Sequence, residues 1–177
     1  MSLYFTRHGQ TDYNKAYLIQ GSLDVSLNEI GFIEAKELAE KVKEMNFSSI
    51  YVSPYLRARQ TANEIVKLLG KEYKIDDRIK EENYGLLEGT SRKEVAYLEQ
   101  RRKIATCYPK GESYLKVAAR VYSFLDEVKL EAKENDILVV AHGGISRIVH
   151  SYFFDMSNEE FFNYGIPNCA LIKYDYK

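Results

Sequence analysis

The stretch Asp136-Ile137-Leu138-Val139-Val140-Ala141, which runs into His142-Gly143-Gly144, decides the fold. A continuous apolar run of this length is typical of a strand that is buried on both faces of a parallel sheet. The apolar spacing over residues 143–154 then predicts a helix directly after the strand. A buried strand that leads into a helix indicates an α/β architecture.

The same alternation of strands and helices extends outward from this stretch. The pattern predicts further strands at residues 3–6, 49–52, 72–75 and 169–174. It predicts further helices at residues 28–43, 55–69, 90–104 and 113–132. Ser26 or Asn28 is the expected cap of the first of these helices, and Gly70 the expected stop of the second. We therefore expect a three-layer α/β/α sandwich with a mostly parallel central sheet, formed by a single domain over residues 1–177.

The balance of charge limits the classes of partner. The 177 residues include 25 basic and 26 acidic side chains, which gives a formal net charge of −1. A chain so close to neutrality has no overall field to attract nucleic acid or an anionic membrane, so we expect neither as a partner. Any anion-binding site must therefore come from a local cluster of positive groups.

Cysteine use and hydropathy predict a cytoplasmic location. Cys107 and Cys169 form no CxxC pair, which favours two reduced thiols over a disulfide framework or a zinc site. The first residues lack the basic and long apolar regions of a signal peptide. No apolar run approaches the ~20 residues that a membrane-spanning helix needs.

Two of the three histidines in the chain follow predicted strands and precede a glycine. His8 comes with Arg7 after the strand at residues 3–6, and His142 comes after the strand at residues 136–141. Ligands of open parallel sheets bind beyond the carboxyl ends of the strands. We therefore expect these side chains to meet in one site.

This combination of residues suits phosphoryl transfer. A neutral imidazole can attack phosphorus and hold the phosphoryl group covalently. The planar fork of Arg7 can bind two phosphate oxygens, and nearby arginine charges lower the pKa of His8 and keep it nucleophilic. The N-terminus of the helix that begins at Gly143 would add backbone N–H donors for the phosphate.

Four stretches, in the same order, resemble motifs of the histidine phosphatase (phosphoglycerate mutase-like) superfamily. Residues 7–11 (RHGQT) with Asn14 resemble its RHGxTxxN signature, and residues 53–62 (SPYLRARQTA) resemble its second-arginine segment. Residues 81–89 (EENYGLLEG) and 139–144 (VVAHGG) resemble its glutamate and second-histidine segments. On this resemblance the chain is identified as a member of that superfamily.

The resemblance implies a catalytic role for each matching residue. His8 corresponds to the histidine that is phosphorylated, and Glu81 corresponds to the proton donor. Arg7, Arg57 and His142 correspond to the remaining residues of the phosphate pocket. The family uses no metal ion, and we expect no metal and no cofactor here.

The resemblance also implies further contacts around the phosphate and the substrate. Asn14 corresponds to a polar residue that lines the phosphate pocket. The family places a substrate cover over the carboxyl ends of the strands, here a small helical segment at about residues 88–113. The candidate substrate-binding residues are Gln20, Tyr84, Arg101 and Arg102.

From the residues alone, simpler interpretations stay open at several positions. Arg57, Arg101 and Arg102 could be solvated helix residues. Glu81 and Glu82 could both be surface charges, since glutamate is usually exposed. The spacing by itself does not choose between these two glutamates.

The predicted function is metal-independent hydrolysis of a small-molecule phosphate ester through a phosphohistidine. One alternative is a cofactor-dependent phosphoglycerate mutase, which must enclose a bisphosphate intermediate. The short cover of this chain favours the phosphatase over the mutase. A second alternative is a non-catalytic phosphate-binding domain, for which Glu81 would not be needed. The sequence predicts no oligomeric state.

Overall fold

The computed structural model describes residues 2–176 of the chain. Its strands are β1 (Ser2–Arg7), β2 (Phe47–Val52), β3 (Lys74–Ile75), β4 (Asp136–Ala141) and β5 (Leu171–Asp175). Its α-helices are α1 (Asp12–Lys15), α2 (Glu29–Val42), α3 (Leu56–Leu69), α4 (Val95–Gln100), α5 (Tyr114–Glu134), α6 (Gly143–Phe153) and α7 (Asn158–Asn163). Short 3-10 helices lie at Asp77–Ile79 and Gly85–Leu87.

The strands form one five-stranded sheet in the order β3-β2-β4-β1-β5. Neighbouring strands are parallel except at one edge, where β5 pairs with β1 in the antiparallel direction. The predicted mostly parallel sheet is therefore confirmed.

Strand β4 lies at the centre of the sheet and is buried on both faces, as predicted. Ile137, Val139 and Ala141 face a core that is shared with helices α5 and α6. Leu138 and Val140 face the opposite core, which is shared with α2 and α3. Because side chains alternate along a strand, one apolar run supplies both cores and places helices on both faces.

Local signals set the ends of the helices that flank the second core. Asn28 caps α2, because its side-chain oxygen accepts a hydrogen bond of 2.9 Å from the Gly31 N–H. Helix α3 ends at Gly70, whose φ of 62° lies in the left-handed region that glycine adopts without strain.

The helix predicted over residues 90–104 is wrong over most of its length, since only Val95–Gln100 is helical. Contacts with another segment hold the preceding residues in a turn. The Arg92 N–H donates to the Tyr17 carbonyl at 3.0 Å. This tertiary hydrogen bond holds Arg92 outside the helix that the apolar spacing predicted.

Helices α1 and α7 are short, and the apolar spacing predicts neither. Each begins with a capping box, formed by Thr11 with Asn14 in α1 and by Ser157 with Glu160 in α7. The Ser-x-x-Glu spacing at residues 157–160 is the sequence signal that could have located α7.

The register of the sheet places the two predicted histidines side by side. Arg7, the last residue of β1, pairs with Ala141, the last residue of β4. His8 and His142 therefore leave adjacent parallel strands at the same edge of the sheet. Within residues 2–176, no helix has the length and apolar character needed to cross a bilayer.

Candidate active site

His8 and His142 lie next to each other beneath the surface of this edge. The His8 N–H donates to the Ala141 carbonyl at 3.0 Å, and the two imidazole centroids are 5.2 Å apart. His8 Nδ1 lies 2.7 Å from the Gly9 carbonyl oxygen, an acceptor that assigns the proton to Nδ1. Nε2 of His8 then carries a lone pair and forms no hydrogen bond with the described residues.

Both imidazoles are neutral at physiological pH. Burial lowers the pKa of His8 well below its ordinary value, and the charges of Arg57 and Arg7 lower it further. Burial and the charge of Arg57 lower the pKa of His142 in the same way. Because both shifts disfavour the imidazolium, His8 keeps the unprotonated nitrogen that a nucleophile requires.

Two buried guanidinium groups accompany the histidines. Arg57, on α3, is fully buried and donates to the carbonyls of Leu23 at 2.7 Å and Gly21 at 2.8 Å. Arg7 donates to the Ile166 carbonyl at 3.0 Å. Burial lowers the pKa of Arg7 to about 10. Neither arginine forms an ion pair within the part of the chain that the structure describes.

Several polar atoms at this site are buried without a hydrogen-bond partner. They are Nε of Arg7, Nε of Arg57, Nδ1 of His142 and Nδ2 of Asn14. Buried polar groups in proteins are nearly always paired, so unpaired groups gathered in one place indicate a polar ligand. A phosphate group would supply the acceptor oxygens that these nitrogens lack.

The Glu81 side chain is hydrogen-bonded to the N-terminus of helix α6. One carboxylate oxygen accepts the Gly144 N–H at 3.0 Å, and the other accepts the Glu82 N–H at 3.0 Å. A Cβ atom at residue 144 would lie 2.4 Å from Glu81 Oε1, so only glycine permits this approach. The helix N-terminus therefore positions the carboxylate through its backbone.

These side chains surround a cavity of about 120 Å³. Its lining residues are Arg7, His8, Ile19, Gln20, Gly21, Glu81, Tyr84, Arg92, Tyr97, Gly143, Gly144, Arg147, Gly165 and Ile166. Arg57 and His142 are fully buried and are not among these lining residues, but Arg57 contacts Gly21 and His142 contacts His8, and both of those residues line the cavity. The structure thus brings Gln20, Tyr84 and Gly143 to the same cavity as the predicted nucleophile.

Asn14, which was predicted to line the phosphate pocket, is not among the residues that line this cavity, and its side chain has structural partners. Its side-chain oxygen accepts the Thr11 N–H at 3.1 Å and completes the capping box of α1. Asn168 donates to the same oxygen at 3.4 Å and to the His8 carbonyl at 2.7 Å. Asn168 therefore fixes the backbone at His8, a role that no sequence pattern indicated.

Arg101 and Arg102 do not line the catalytic cavity. They line a separate cavity of about 720 Å³ together with residues of α4 and α7, and Arg101 donates to the Phe162 carbonyl. Because α4 is short, these arginines follow its last turn and lie beside α7. The cover and α6 instead contribute Arg92 and Arg147 to the catalytic cavity, and neither was predicted.

Arg92 and Arg147, the two arginines that were not predicted, differ in whether a sequence pattern could have located them. Arg147 follows Gly143 by four residues, so helical periodicity places both on one face of α6. Arg92 lies in a turn, where no periodicity applies. Among residues 2–176, no group of three or more histidine, cysteine, aspartate or glutamate side chains is placed to hold a metal ion.

Comparisons with known proteins agree with this geometry. The chain matches the family model of the histidine phosphatase superfamily (branch 1) over residues 3–177. Phosphoserine phosphatase 1 of Hydrogenobacter thermophilus is 29% identical over 179 residues, which cover 96% of this chain and 84% of that protein. A Photorhabdus laumondii protein named probable phosphoglycerate mutase GpmB is 28% identical over 184 residues, which cover 100% of this chain and 86% of that protein.

A solved structure is similar over nearly the same range. It is the mycobacterial glucosyl-3-phosphoglycerate phosphatase in complex with VO3, with a TM-score of 0.87 and 27% identity. The match covers 97% of this chain and 90% of that one. The similarity therefore extends through the sheet, the helices and the site.

Proposed function

Because the chain belongs to the histidine phosphatase superfamily (branch 1), we propose that it hydrolyses small phosphomonoesters through a phosphohistidine at Nε2 of His8. The chain is a phosphatase by its family and its relatives, and the proposal concerns the part that each residue plays. The observation that carries it is the His8 ring. Its Nδ1 is engaged by the Gly9 carbonyl, which leaves Nε2 free beside buried, unpaired guanidinium nitrogens of Arg7 and Arg57.

In the first step, the lone pair of His8 Nε2 attacks phosphorus and forms the P–N bond. The bond between phosphorus and the ester oxygen breaks, and Glu81, which takes up a proton when the negative charge of the phosphate enters the cavity, gives that proton to the leaving oxygen. Arg7 and Arg57 donate to the phosphoryl oxygens, on which negative charge is spread in the transition state.

In the second step, water attacks the phosphohistidine. Glu81, now a carboxylate, takes the proton of the water as the new P–O bond forms and the P–N bond breaks. Inorganic phosphate leaves, and His8 and Glu81 return to their starting states. The two hydrogen bonds from the Gly144 and Glu82 N–H groups hold the Glu81 carboxyl group in place through both steps.

His142 supplies a donor rather than a nucleophile in this scheme. Its Nε2 lies 2.6 Å from Ser53 Oγ, and we assign the Ser53 hydroxyl as the donor of that hydrogen bond. The proton of the neutral imidazole is then on Nδ1, which is buried and unpaired within residues 2–176. Nδ1 can donate to a phosphoryl oxygen.

The test is phosphate release from a panel of phosphomonoesters in excess EDTA, together with trapping of labelled phosphoenzyme under alkaline quench. We expect the wild type to turn over in EDTA and to become labelled. His8→Ala should lose at least roughly 1000-fold in kcat/KM and all of the label, since the nucleophile is gone. His150→Ala removes the one histidine outside the site and should keep both properties.

Three results would contradict the assignment. A labelled His8→Ala protein would exclude His8 as the nucleophile. Full loss of wild-type activity in EDTA would show that a metal ion takes part. Conversion of 3- to 2-phosphoglycerate that is faster than phosphate release would assign the chain to the mutases.

A further inference from the structure

The catalytic cavity holds more positive charge than a phosphate group needs. Arg7 and Arg57 provide two charges for a phosphate ester, which carries two negative charges. Arg92 and Arg147 also line the cavity, and neither forms an ion pair within residues 2–176. Among the described residues that line the cavity, Glu81 is the only acidic one. Two guanidinium groups are therefore available for a second anion.

Arg92 is fixed in place by backbone contacts that leave the end of its guanidinium free. Its Nε donates to the Leu18 carbonyl at 3.0 Å, and its own N–H donates to the Tyr17 carbonyl at 3.0 Å. No described residue accepts a hydrogen bond from its Nη atoms. Its charge contributes to the lowered pKa of both Arg7 and His8, so it acts close to the phosphate end of the cavity.

Arg147 comes from the opposite direction, on helix α6. Its Nη1 donates to the Tyr114 hydroxyl at 3.2 Å, while its buried Nε has no partner among the described residues. Arg147 forms no ion pair within residues 2–176, and both carboxyl oxygens of the nearby Glu82 have no hydrogen-bond partner there. A buried charge without a partner in direct contact is costly.

We propose that Arg92 and Arg147 form a second anion subsite, which selects phosphomonoesters that carry a carboxylate near the ester. A guanidinium fork matches a carboxylate through two parallel hydrogen bonds. The cavity volume of about 120 Å³ admits only a small molecule, so the carboxylate must lie within a few bonds of the phosphate. This inference rests on the proposed function, because it assumes that the phosphate lies beside His8.

The test compares two pairs of esters that differ chiefly in the carboxylate. O-phosphoserine is paired with O-phosphoethanolamine, and 3-phosphoglycerate is paired with glycerol 3-phosphate. We expect wild-type kcat/KM to favour the carboxylate member of each pair by roughly 10-fold or more, as a charge-assisted contact provides. Arg92→Gln should lose most of that preference, because its kcat/KM should fall by a clearly larger factor for the carboxylate member of each pair than for the other member.

Arg147→Lys is the second variant, because it keeps the buried charge but removes the fork. It should reduce the preference in the same sense. Arg102→Gln is the matched control: it removes an exposed arginine of the cover, and the preference should persist. The proposal is overturned if the wild type shows no preference, or if Arg92→Gln affects both members of a pair equally, as loss of a phosphate contact would.

A binding measurement separates this proposal from the proposed function. If the wild type cleaves none of these esters, the proposed function fails, and calorimetry on the wild type and on Arg92→Gln then tests the subsite alone. Tighter binding of the carboxylate members that is lost in Arg92→Gln supports the subsite. Equal binding of both members refutes it.

Discussion

Glu81 and Glu82 are adjacent in the sequence but have different surroundings. Both oxygens of Glu81 accept backbone N–H groups, while both oxygens of Glu82 are buried and have no partner among the described residues. Burial, followed by the neighbouring charge of Glu81, raises the pKa of Glu82 from 4.5 to about 8. The folded protein therefore favours the neutral, protonated form of the Glu82 side chain.

This raised pKa makes the stability of the protein depend on pH. The unfolded chain releases the Glu82 proton near its ordinary pKa, whereas the folded chain keeps it to about pH 8. The free energy of unfolding should therefore be highest below the unfolded pKa and fall as the pH rises toward 8. Glu82→Gln abolishes this dependence and should be more stable than the wild type at pH 8, by on the order of 2 kcal/mol.

Denaturant unfolding at pH 5 and at pH 8 measures this effect. The gain from Glu82→Gln should be small at pH 5 and should grow toward pH 8. Glu72→Gln changes an exposed glutamate and should show no such growth. A gain that is equal at both pH values would mean that Glu82 is ionised in the folded protein.

At the same scale, the sequence predicted those residues of the site that directly follow strands. His8 and His142 could be located because a buried strand fixes where each one emerges. Arg92 could not, because its position in the cavity depends on hydrogen bonds with a segment about 75 residues earlier. Such a long-range contact leaves no periodic pattern in the sequence.

At the scale of elements, the N-terminus of α6 can bind the Glu81 carboxyl group because residue 144 is a glycine, which has no side chain. A Cβ atom at residue 144 would lie 2.4 Å from Glu81 Oε1 and 3.1 Å from the Tyr84 hydroxyl. Gly144→Ala must therefore displace the carboxylate and break its hydrogen bond to the helix. We expect kcat/KM to fall by roughly 10- to 100-fold, since a displacement of about 1 Å can cost this much.

Steady-state kinetics and circular dichroism check this prediction together. Gly165→Ala is a strict control, because it adds the same methyl group at another wall of the cavity where no atom lies within 4 Å. It should keep nearly full activity, and both variants should stay folded. If Gly144→Ala were as active as Gly165→Ala, the position of Glu81 would not matter for the reaction.

Local sequence patterns predicted some of these elements accurately and one of them wrongly. Strand β4 and helix α6 were predicted within one residue, because burial on both faces and helical spacing are local properties of the sequence. Helix α4 was predicted much too long. Its apolar spacing continues into residues that pair with the segment around Tyr17, and those tertiary hydrogen bonds outweigh the local preference.

At the scale of the whole molecule, the site joins distant parts of the chain around a local positive charge. His8 follows β1, Arg57 lies on α3, Glu81 follows a 3-10 helix and His142 follows β4. The net charge of the chain is only −1, so the affinity for an anion comes from these buried groups rather than from an overall field. Burying Arg57 without a carboxylate costs free energy, and a bound phosphate would offset part of that cost.

Inorganic phosphate should therefore stabilise the fold as a whole. At a phosphate concentration of 100 times its Kd, linkage predicts about 2.7 kcal/mol. For a chain of this size, that corresponds to a rise in Tm of roughly 5–10 °C. Arg57→Gln should lower Tm, because it removes the hydrogen bonds to Gly21 and Leu23, and should reduce the phosphate-induced rise to less than about 2 °C.

Calorimetric scans with and without phosphate, at a Kd measured for the wild type, provide the test. Lys67→Gln removes an exposed positive charge from the same helix and should keep the full rise. Arg57→Lys keeps the charge without the fork and should give an intermediate rise. If the phosphate-induced rise in Tm is undiminished in Arg57→Gln, the phosphate binds away from Arg57. If Lys67→Gln loses the rise as well, the stabilisation comes from general screening of positive charge by phosphate. Arg57 links α3 to the loop at Gly21 through a hydrogen bond. The result therefore tests whether one side chain, Arg57, both binds the anion and stabilises the fold.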